Sequence, residues 1–174
     1  IEAEEVLYTS AMHHFLQHPN VNYRDVRRRQ LNAHEPPENI FPKRIYLSRG
    51  ANRKRTLLSE RRLVKELVEM EFGVVEPGSM SVDQQIALFQ NAEIVVGPAG
   101  AAFANVLYCK PGTRVVELQP ISMQSFWVQS ICMITGSRSL IYSCNVVSGN
   151  SPGHLIFDVD VDRFLQTLRS FMVQ

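Results

Sequence analysis

The chain has 174 residues, of which 45% are hydrophobic, and its formal net charge is +1. This length and composition are sufficient for one full hydrophobic core with some appended material. The longest apolar run, Ile94–Ala104, is too short to cross a membrane and contains Gly-Pro-Ala-Gly, which excludes a transmembrane helix in this run.

The N-terminal part of the chain is predicted to be an appendage of the main domain. Residues 1–33 have a helical pattern, and "HEPPENIFPK" at 34–43 holds three prolines, which is typical of a linker. We therefore divide the chain into a helical segment with a Pro-rich linker at 1–43 and a regular domain at 44–174.

Strand and helix patterns alternate after the linker. "RIYLS" is predicted as a strand, "RGANRKR" as a basic loop, and Ser59 as the N-cap of a helix that Gly73 ends. "VVEP" is a second strand, and Ser81 with Gln84 forms a capping box for the next helix. "EIVVG" has the continuous apolar character of a parallel strand buried on both faces.

The alternation continues to the end of the chain. The patterns predict a helix over Ala101–Leu107, a strand "RVVEL", a helix "SFWVQSICMIT", a strand "SLIYS", a polar loop at 148–153, a strand "HLIFDV" and a closing helix. Strands that alternate with helices predict an α/β fold, a Rossmann-like parallel sheet with helices on both faces.

Positive charge is concentrated in one region. Thirteen of the eighteen Lys and Arg residues lie between Arg24 and Lys65, with four acidic residues among them. This asymmetry indicates an anionic partner, either nucleic acid or the phosphates of a small molecule. Because the arginines are split between a helix end and a loop, the small molecule is favoured, and a nucleic-acid-binding domain built on 24–65 stays as an alternative.

The cysteines indicate a reducing compartment. Cys109, Cys132 and Cys144 are odd in number, widely spaced and without a CxxC pattern, so we predict buried thiols. With no signal peptide in view, a cytoplasmic protein is expected. The chain begins at Ile1, so we expect a fragment. Two other locations therefore stay open: membrane association through a missing segment, and the secretory-pathway lumen if the protein is eukaryotic.

A candidate ligand site follows from the strand ends. In open α/β sheets the ligand lies at the carboxyl ends of the strands, which here bring together Ser48-Arg49, Glu76-Pro77, Gly97–Gly100 and Glu117. The helix N-terminus at Ala101 offers free N–H groups to a phosphate. Two residues of the basic loop, Arg53 and Arg55, are candidates to bind a diphosphate with Arg49, and Glu117 is a candidate acceptor for ribose hydroxyls.

Each of these features also has a purely structural interpretation. The Gly97–Gly100 loop is neither a G-x-G-x-x-G fingerprint nor a P-loop, and its glycines are equally explained by close strand–helix packing. Arg49 is equally explained as a solvated loop charge, and Glu117 as a partner of Arg114 or Lys110. The sequence pattern alone leaves these alternatives open.

Two patterns that resemble metal sites are better explained otherwise. "DVDVD" at 158–162 follows strand periodicity into a helix, with Asp160 as an N-cap and Asp162 in the first turn. His13, His14 and His18 have helical spacing but no third ligand of suitable type nearby. No metal site is predicted.

The features taken together resemble a known family. "RIYLSRGANRKRTLLSE" and "EFGVVEPGSMSVDQQIALFQNAEIVVGPAGAAFANVLYCKPGTRVVELQP" are similar to the catalytic region of glycosyltransferase family 61, which includes plant β-1,2-xylosyltransferases and secretory-pathway O-GlcNAc transferases. The matching set is ordered: Ser48-Arg49, a later Arg, S-x-x-x-Q-x-x-x-F-x-x-A, G-P-x-G-A, Asn105 and V-V-E-L.

The resemblance implies a two-domain, GT-B-like, inverting enzyme of which this chain is mainly the C-terminal, donor-binding half. The implied partners are a nucleotide-sugar donor, expected to be UDP-linked, and a glycan or polysaccharide acceptor, with no nucleic acid, cofactor or metal. No residue is identified as the catalytic base, which is expected in the acceptor half. The donor and phosphate site implied comprises Ser48, Arg49, Arg53, Arg55, Gly97, Pro98, Gly100, Ala101, Asn105 and Glu117.

One position departs from the family pattern. Family members commonly carry His where this sequence has Ala99, which gives G-P-A-G-A in place of G-P-H-G-A. If that His contacts the donor or transfers a proton, the departure implies altered donor choice or loss of catalysis. A catalytically silent member that acts as a binding module is therefore the second alternative.

Overall fold

The computed structural model describes residues 22–33, 41–50, 55–123, 125–151 and 154–173. Several sequence predictions lie outside the described residues. They are the helical pattern before residue 22, the three histidines in it, most of the Pro-rich linker, and Arg53 of the basic loop.

The regular elements of the described part alternate along the chain. The strands are β1 (Arg44–Leu47), β2 (Arg55–Leu57), β3 (Gly73–Val75), β4 (Ile94–Pro98), β5 (Arg114–Pro120), β6 (Arg138–Ser151) and β7 (His154–Asp158). The helices are α1 (Asn22–Ala33), α2 (Glu60–Glu69), α3 (Val82–Asn91), α4 (Trp127–Thr135) and α5 (Val161–Val173), with 3₁₀ helices η1 (Pro77–Ser79) and η2 (Ala101–Tyr108).

Seven strands form one mostly parallel sheet in the order β2-β7-β6-β5-β4-β1-β3. β3, β1, β4, β5 and the first half of β6 are parallel, whereas β7 is antiparallel to β6 and parallel to β2. The predicted α/β, Rossmann-like fold is confirmed, with an antiparallel extension at the β2 edge.

Helices cover both faces of this sheet, as predicted. Tyr46, Val96 and Val116 belong to a core cluster with residues of α2 and α5. Their strand neighbours Val95 and Val115 belong to a second cluster with residues of α3, η2 and α4. Because successive strand residues point to opposite faces, the apolar runs of β4 and β5 are explained by burial on both sides.

Two predictions for the sheet edge are wrong. Arg55 does not belong to a loop but begins β2, which pairs with β7 through Arg55 opposite Leu155. The predicted polar loop at 148–153 is largely strand, because β6 continues to Ser151 and pairs with β7. The pairing of β6 with β5 ends at Cys144 and Pro120. The rest of β6 pairs with β7, and this polar, bulged β6–β7 hairpin extends past the parallel sheet.

The helix predicted to stop at Gly73 ends earlier. α2 ends at Glu69, and Glu71 adopts a left-handed conformation with φ 65°, which turns the chain before β3 begins. Ser59 does precede α2, but its hydroxyl donates to the carboxylate of Asp158 rather than capping a helix N–H. A cap would require the Ser59 oxygen to accept from an N–H of the first helical turn, and Ser59 lacks the extended backbone of a capping residue, with φ −80° and ψ 10°.

The capping box at α3 is confirmed. The Ser81 hydroxyl accepts from the Gln84 N–H at 3.2 Å, and the Gln84 side chain accepts from the Ser81 N–H at 2.9 Å. The predicted inward residues Ile86 and Phe89 are buried. This helix forms one wall of the carboxyl edge of the sheet.

The thiol prediction is also confirmed, since Cys109, Cys132 and Cys144 are free and buried. Burial raises the pKa of Cys132 and of Cys144 to about 12. In the described part of the chain, no helix is both long and apolar enough to span a bilayer.

The N-terminal helix α1 is fastened to the C-terminal end of η2. The Arg27 guanidinium donates to Leu107 O at 2.8 Å and to Cys109 O at 2.9 Å. The Tyr108 hydroxyl donates to the Gln30 side chain at 2.7 Å. Carbonyls at a helix C-terminus lack intrahelical donors, so Arg27 satisfies groups that would otherwise need water.

Arg27→Ala is expected to lower the free energy of unfolding by about 1.5 kcal/mol, because two charge-assisted hydrogen bonds are lost. Arg28→Ala is the matched control, since exposed Arg28 makes an i,i+3 ion pair with Asp25 at 3.0 Å and the loss of this pair is expected to cost less than about 0.5 kcal/mol. Urea denaturation of both variants measures the difference. Equal losses would show that the contact with η2 contributes nothing.

Candidate functional site

A cavity of about 560 Å³ lies at the carboxyl edge of β1, β3 and β4, and we call it the first cavity. Parallel pairing places the ends of these strands side by side, with Leu47 opposite Val75 and Tyr46 opposite Val96. Six predicted site residues line it: Ser48, Arg49, Pro98, Gly100, Ala101 and Asn105. The strand-end argument therefore predicted that these segments lie together at one edge of the sheet.

Arg49 is held over the loop that follows β4. Its Nη1 donates to Ala99 O at 3.2 Å, and its side chain is half-buried. Burial first, and then the nearby Arg55 guanidinium, lower the pKa of Arg49. In the described part of the chain, neither guanidinium has a carboxylate within salt-bridge distance. Two guanidinium groups close to each other at this loop concentrate positive charge, which favours an anionic ligand there.

A smaller cavity of about 150 Å³ lies on the β5 side of the same loop, and we call it the second cavity. Gly100 and Ala101 line both cavities. The other residues around the second cavity are Arg55, Ala99, Glu117, Gln119, Met123, Ser125 and Trp127. The loop is thus a partition with binding space on either side.

Glu117 lies in the second cavity and not at a strand end. β5 continues to Pro120, and Glu117 pairs with Gly97 inside the sheet, where it is 1% exposed. The Gln119 amide donates to its Oε2 at 2.6 Å. The predicted pairing with Arg114 or Lys110 is not formed, because Arg114 donates to Phe171 O instead.

Burial raises the pKa of Glu117 to about 7. The amides of Gln119 and Gln129 and the charge of Arg55 oppose this rise. Gln129 lies close enough to act on the carboxylate, yet its buried amide nitrogen and oxygen form no hydrogen bond within the described structure. Glu117 therefore sits in a polar pocket that the protein only partly satisfies.

The two glycines of the loop have different roles. A Cβ on Gly97 would lie 2.8 Å from Leu47 Cβ and 3.1 Å from Leu47 O, so this glycine permits β1 and β4 to approach. A Cβ on Gly100 would meet only ordinary contacts, 3.6 Å from Pro98 O and 3.9 Å from Arg49 Cζ. The packing interpretation therefore holds at Gly97, while Gly100 faces the cavities.

The helix after the loop is a 3₁₀ helix, η2. The Phe103 N–H donates to Gly100 O at 3.1 Å, which leaves the N–H groups of Ala101 and Ala102 without acceptors inside the helix. Asn105 donates to the Gln85 side chain at 2.8 Å and so ties η2 to α3. Asn105 thus lines the first cavity and also braces its wall.

Three polar residues of the first cavity had no predicted binding role: Glu76, Ser79 and Gln85. Glu76 ends the second regular strand, so the strand-end rule points to it. Ser79 and Gln85 lie on η1 and α3, where only the packing of these helices around the strand ends brings them to the cavity. Trp127 of the second cavity is half-buried at the start of α4.

The "DVDVD" aspartates have separate structural roles. Asp158 accepts from Ser59, Asp160 caps α5 by accepting from the Arg163 N–H at 3.1 Å, and Asp162 pairs with Arg62 at 2.6 Å. No group of three His, Cys, Asp or Glu side chains within the described ranges is arranged to hold a metal.

The basic run does not form one surface in the parts that are described. Arg27 binds carbonyls of η2, Lys43 pairs with Glu93 at 2.8 Å, and Arg44 donates to Met70 O at 2.8 Å. Lys43 and Arg44 lie at the start of β1, at the opposite edge of the sheet from Arg49. This distribution does not favour the nucleic-acid alternative.

Comparison with known proteins agrees with the sequence resemblance. The family model described as Glycosyltransferase 61 matches residues 1–116, which is more than half of the chain. The match includes β1 to β4, the Gly97–Gly100 loop and η2. A search of curated proteins found no match.

Proposed function

Because the chain belongs to glycosyltransferase family 61, we propose that it binds the nucleotide-sugar donor of an inverting glycosyl transfer, with the nucleoside diphosphate in the first cavity. The donor is UDP-linked and the acceptor is a glycan or polysaccharide. The observation that carries the proposal is the convergence of Arg49, Arg55 and the N-terminus of η2 on the Gly100–Ala101 loop.

The charge at this loop suits a leaving diphosphate. When the bond between the anomeric carbon and the diphosphate breaks, negative charge develops on the phosphate oxygens. Arg49 and the unbonded N–H groups at the start of η2 supply positive charge in fixed positions, which stabilises that charge without reorganisation. A base in the acceptor half removes the proton of the acceptor hydroxyl.

The rest of the first cavity suits a nucleoside. Glu76 lies opposite Arg49, with its carboxylate against Gly50, and is placed to accept hydrogen bonds from ribose hydroxyls. Ser79 and Asn105 add neutral polar groups. Because the carboxylate would repel phosphates, we place the ribose on the β3 side and the diphosphate beside the Gly100–Ala101 loop.

Arg49→Ala is expected to weaken UDP binding about thirtyfold, a loss of about 2 kcal/mol for a charge-assisted bond to phosphate. Calorimetry with UDP, GDP and CMP measures the affinity and the nucleotide preference. Arg61→Ala is the control, because Arg61 is exposed on α2, and it is expected to bind like wild type.

Two outcomes would contradict the proposal. If the wild type does not bind UDP at millimolar concentration, the proposal of a donor site is wrong. If wild type and Arg49→Ala bind UDP equally, the proposed role of Arg49 is wrong. A measurement of sugar transfer distinguishes a catalytically active protein from the silent binding module. UDP binding without sugar transfer, in protein that carries its acceptor half, would favour the silent module and would point to Ala99, whose position lines the second cavity.

A further inference from the structure

We propose that the second cavity receives the glycosyl group of the donor, a neutral pentose or hexose, and that Glu117 and Trp127 are its main contacts. This inference rests on the proposed function, and it departs from the expectation that Glu117 binds ribose. The two cavities meet at Gly100 and Ala101, where the diphosphate is placed. A nucleotide-sugar has its diphosphate in the middle, so one end must lie on each side of the loop.

The sizes of the cavities decide which end lies where. The first cavity measures about 560 Å³ and the second about 150 Å³. A water needs about 10–15 Å³ of such space, so the second cavity has room for roughly ten waters. That is room for a single monosaccharide ring, whereas a nucleoside with its base and ribose requires the first cavity.

The polar groups of the second cavity suit sugar hydroxyls. Gln119 is fully engaged, because its Nε2 donates to Glu117 Oε2 and to Ser125 O at 2.7 Å while its Oε1 accepts from the Ser125 N–H at 3.1 Å. These bonds fix the Glu117 carboxylate. Gln119 binds one carboxylate oxygen, Oε2, and Glu117 lines the second cavity, where its other oxygen is a candidate acceptor for a ligand hydroxyl.

Other groups of the second cavity complete a carbohydrate-type surface. Trp127 offers an aromatic ring, which can cover the apolar C–H face of a sugar ring. Arg55 adds N–H donors at the opening beside the diphosphate position. The nearby Gln129 amide is buried and has no hydrogen-bond partner among the described residues, so it is a further group that a ligand hydroxyl or a bridging water would satisfy.

The test compares UDP with UDP-glucose and UDP-xylose by calorimetry, on wild type and two variants. Glu117→Gln removes an acceptor at nearly constant shape, and Trp127→Ala removes the aromatic ring from the second cavity. Both variants are expected to bind the UDP-sugars at least about tenfold more weakly than wild type while their UDP affinity stays within about twofold. Saturation-transfer NMR should also show loss of contacts to the sugar protons.

The results separate this inference from the proposed function. If wild type binds UDP through Arg49 but both variants bind UDP-sugars like wild type, the glycosyl assignment is wrong and the donor site stands. If the variants weaken UDP and UDP-sugars equally, the second cavity holds the nucleoside and the assignment is again wrong. If wild type binds no nucleotide, the proposed function and this inference fail together.

Discussion

Glu117→Gln is expected to make the protein more stable than wild type above about pH 7, by on the order of 3 kcal/mol, and by less than about 1 kcal/mol near pH 5. The physical reason is the burial of Glu117 in β5, which raises its pKa to about 7. A neutral amide of the same shape avoids the cost of a buried charge, and its oxygen can still accept from Gln119.

The direction of the pH dependence follows from proton binding. In the unfolded chain the carboxyl titrates near 4.5, and in the folded protein near 7. Between these values the folded state holds a proton that the unfolded state has lost, so the free energy of unfolding falls as the pH rises. Above the pKa of the folded state the ionised carboxylate destabilises the fold by its full amount, and the free energy of unfolding no longer changes with the titration of Glu117.

Urea denaturation between about pH 5 and pH 8 measures this effect as the difference between variant and wild type. Glu69→Gln, on the exposed face of α2, serves as the control for loss of a carboxylate outside any cavity. A difference for Glu117→Gln that does not change with pH would show that Glu117 does not carry the raised pKa. A destabilising carboxylate in a cavity is typical of a residue retained for function.

The parts of the fold with strong local signals could be predicted from the sequence. β4 and β5 are continuous apolar runs, and the Ser81–Gln84 capping box is a specific start signal for α3. The sequence signals for strands were missing where a strand was very short or polar. β2 has three residues, and only Leu57 among them is buried. The polar half of β6 resembles a loop because it pairs outside the main cores.

The candidate site could be predicted only in part, because the strand-end rule fixes segments and not side-chain positions. It brought Ser48, Arg49 and Gly100 to one edge. It placed Glu117 at the end of a strand, although β5 runs on to Pro120 and carries this carboxylate inside the sheet. The division into two cavities depends on where η2 and α4 pack, and a sequence pattern does not contain that information.

Gly97→Ala is expected to lower the free energy of unfolding by about 3 kcal/mol, at the upper end of the range for overpacked sites. The added methyl would lie 2.8 Å from Leu47 Cβ and 3.1 Å from Leu47 O. Both atoms belong to or adjoin the backbone of β1, so neither can move away without separating the two strands. UDP affinity should fall as well, because Leu47 leads directly to Ser48 and Arg49 in the first cavity.

Gly100→Ala is the matched control for Gly97→Ala, and we expect the opposite result. Gly100 has an extended backbone with φ 179°, which alanine adopts without strain, and its added methyl makes only ordinary contacts. Its stability should stay within about 0.5 kcal/mol of wild type. Its UDP affinity should nevertheless fall, because the methyl enters the space between Arg49 and η2. Urea denaturation together with UDP calorimetry distinguishes the two glycines. Unfolding energies that agree for both variants would contradict the assignment of packing to Gly97 and ligand approach to Gly100.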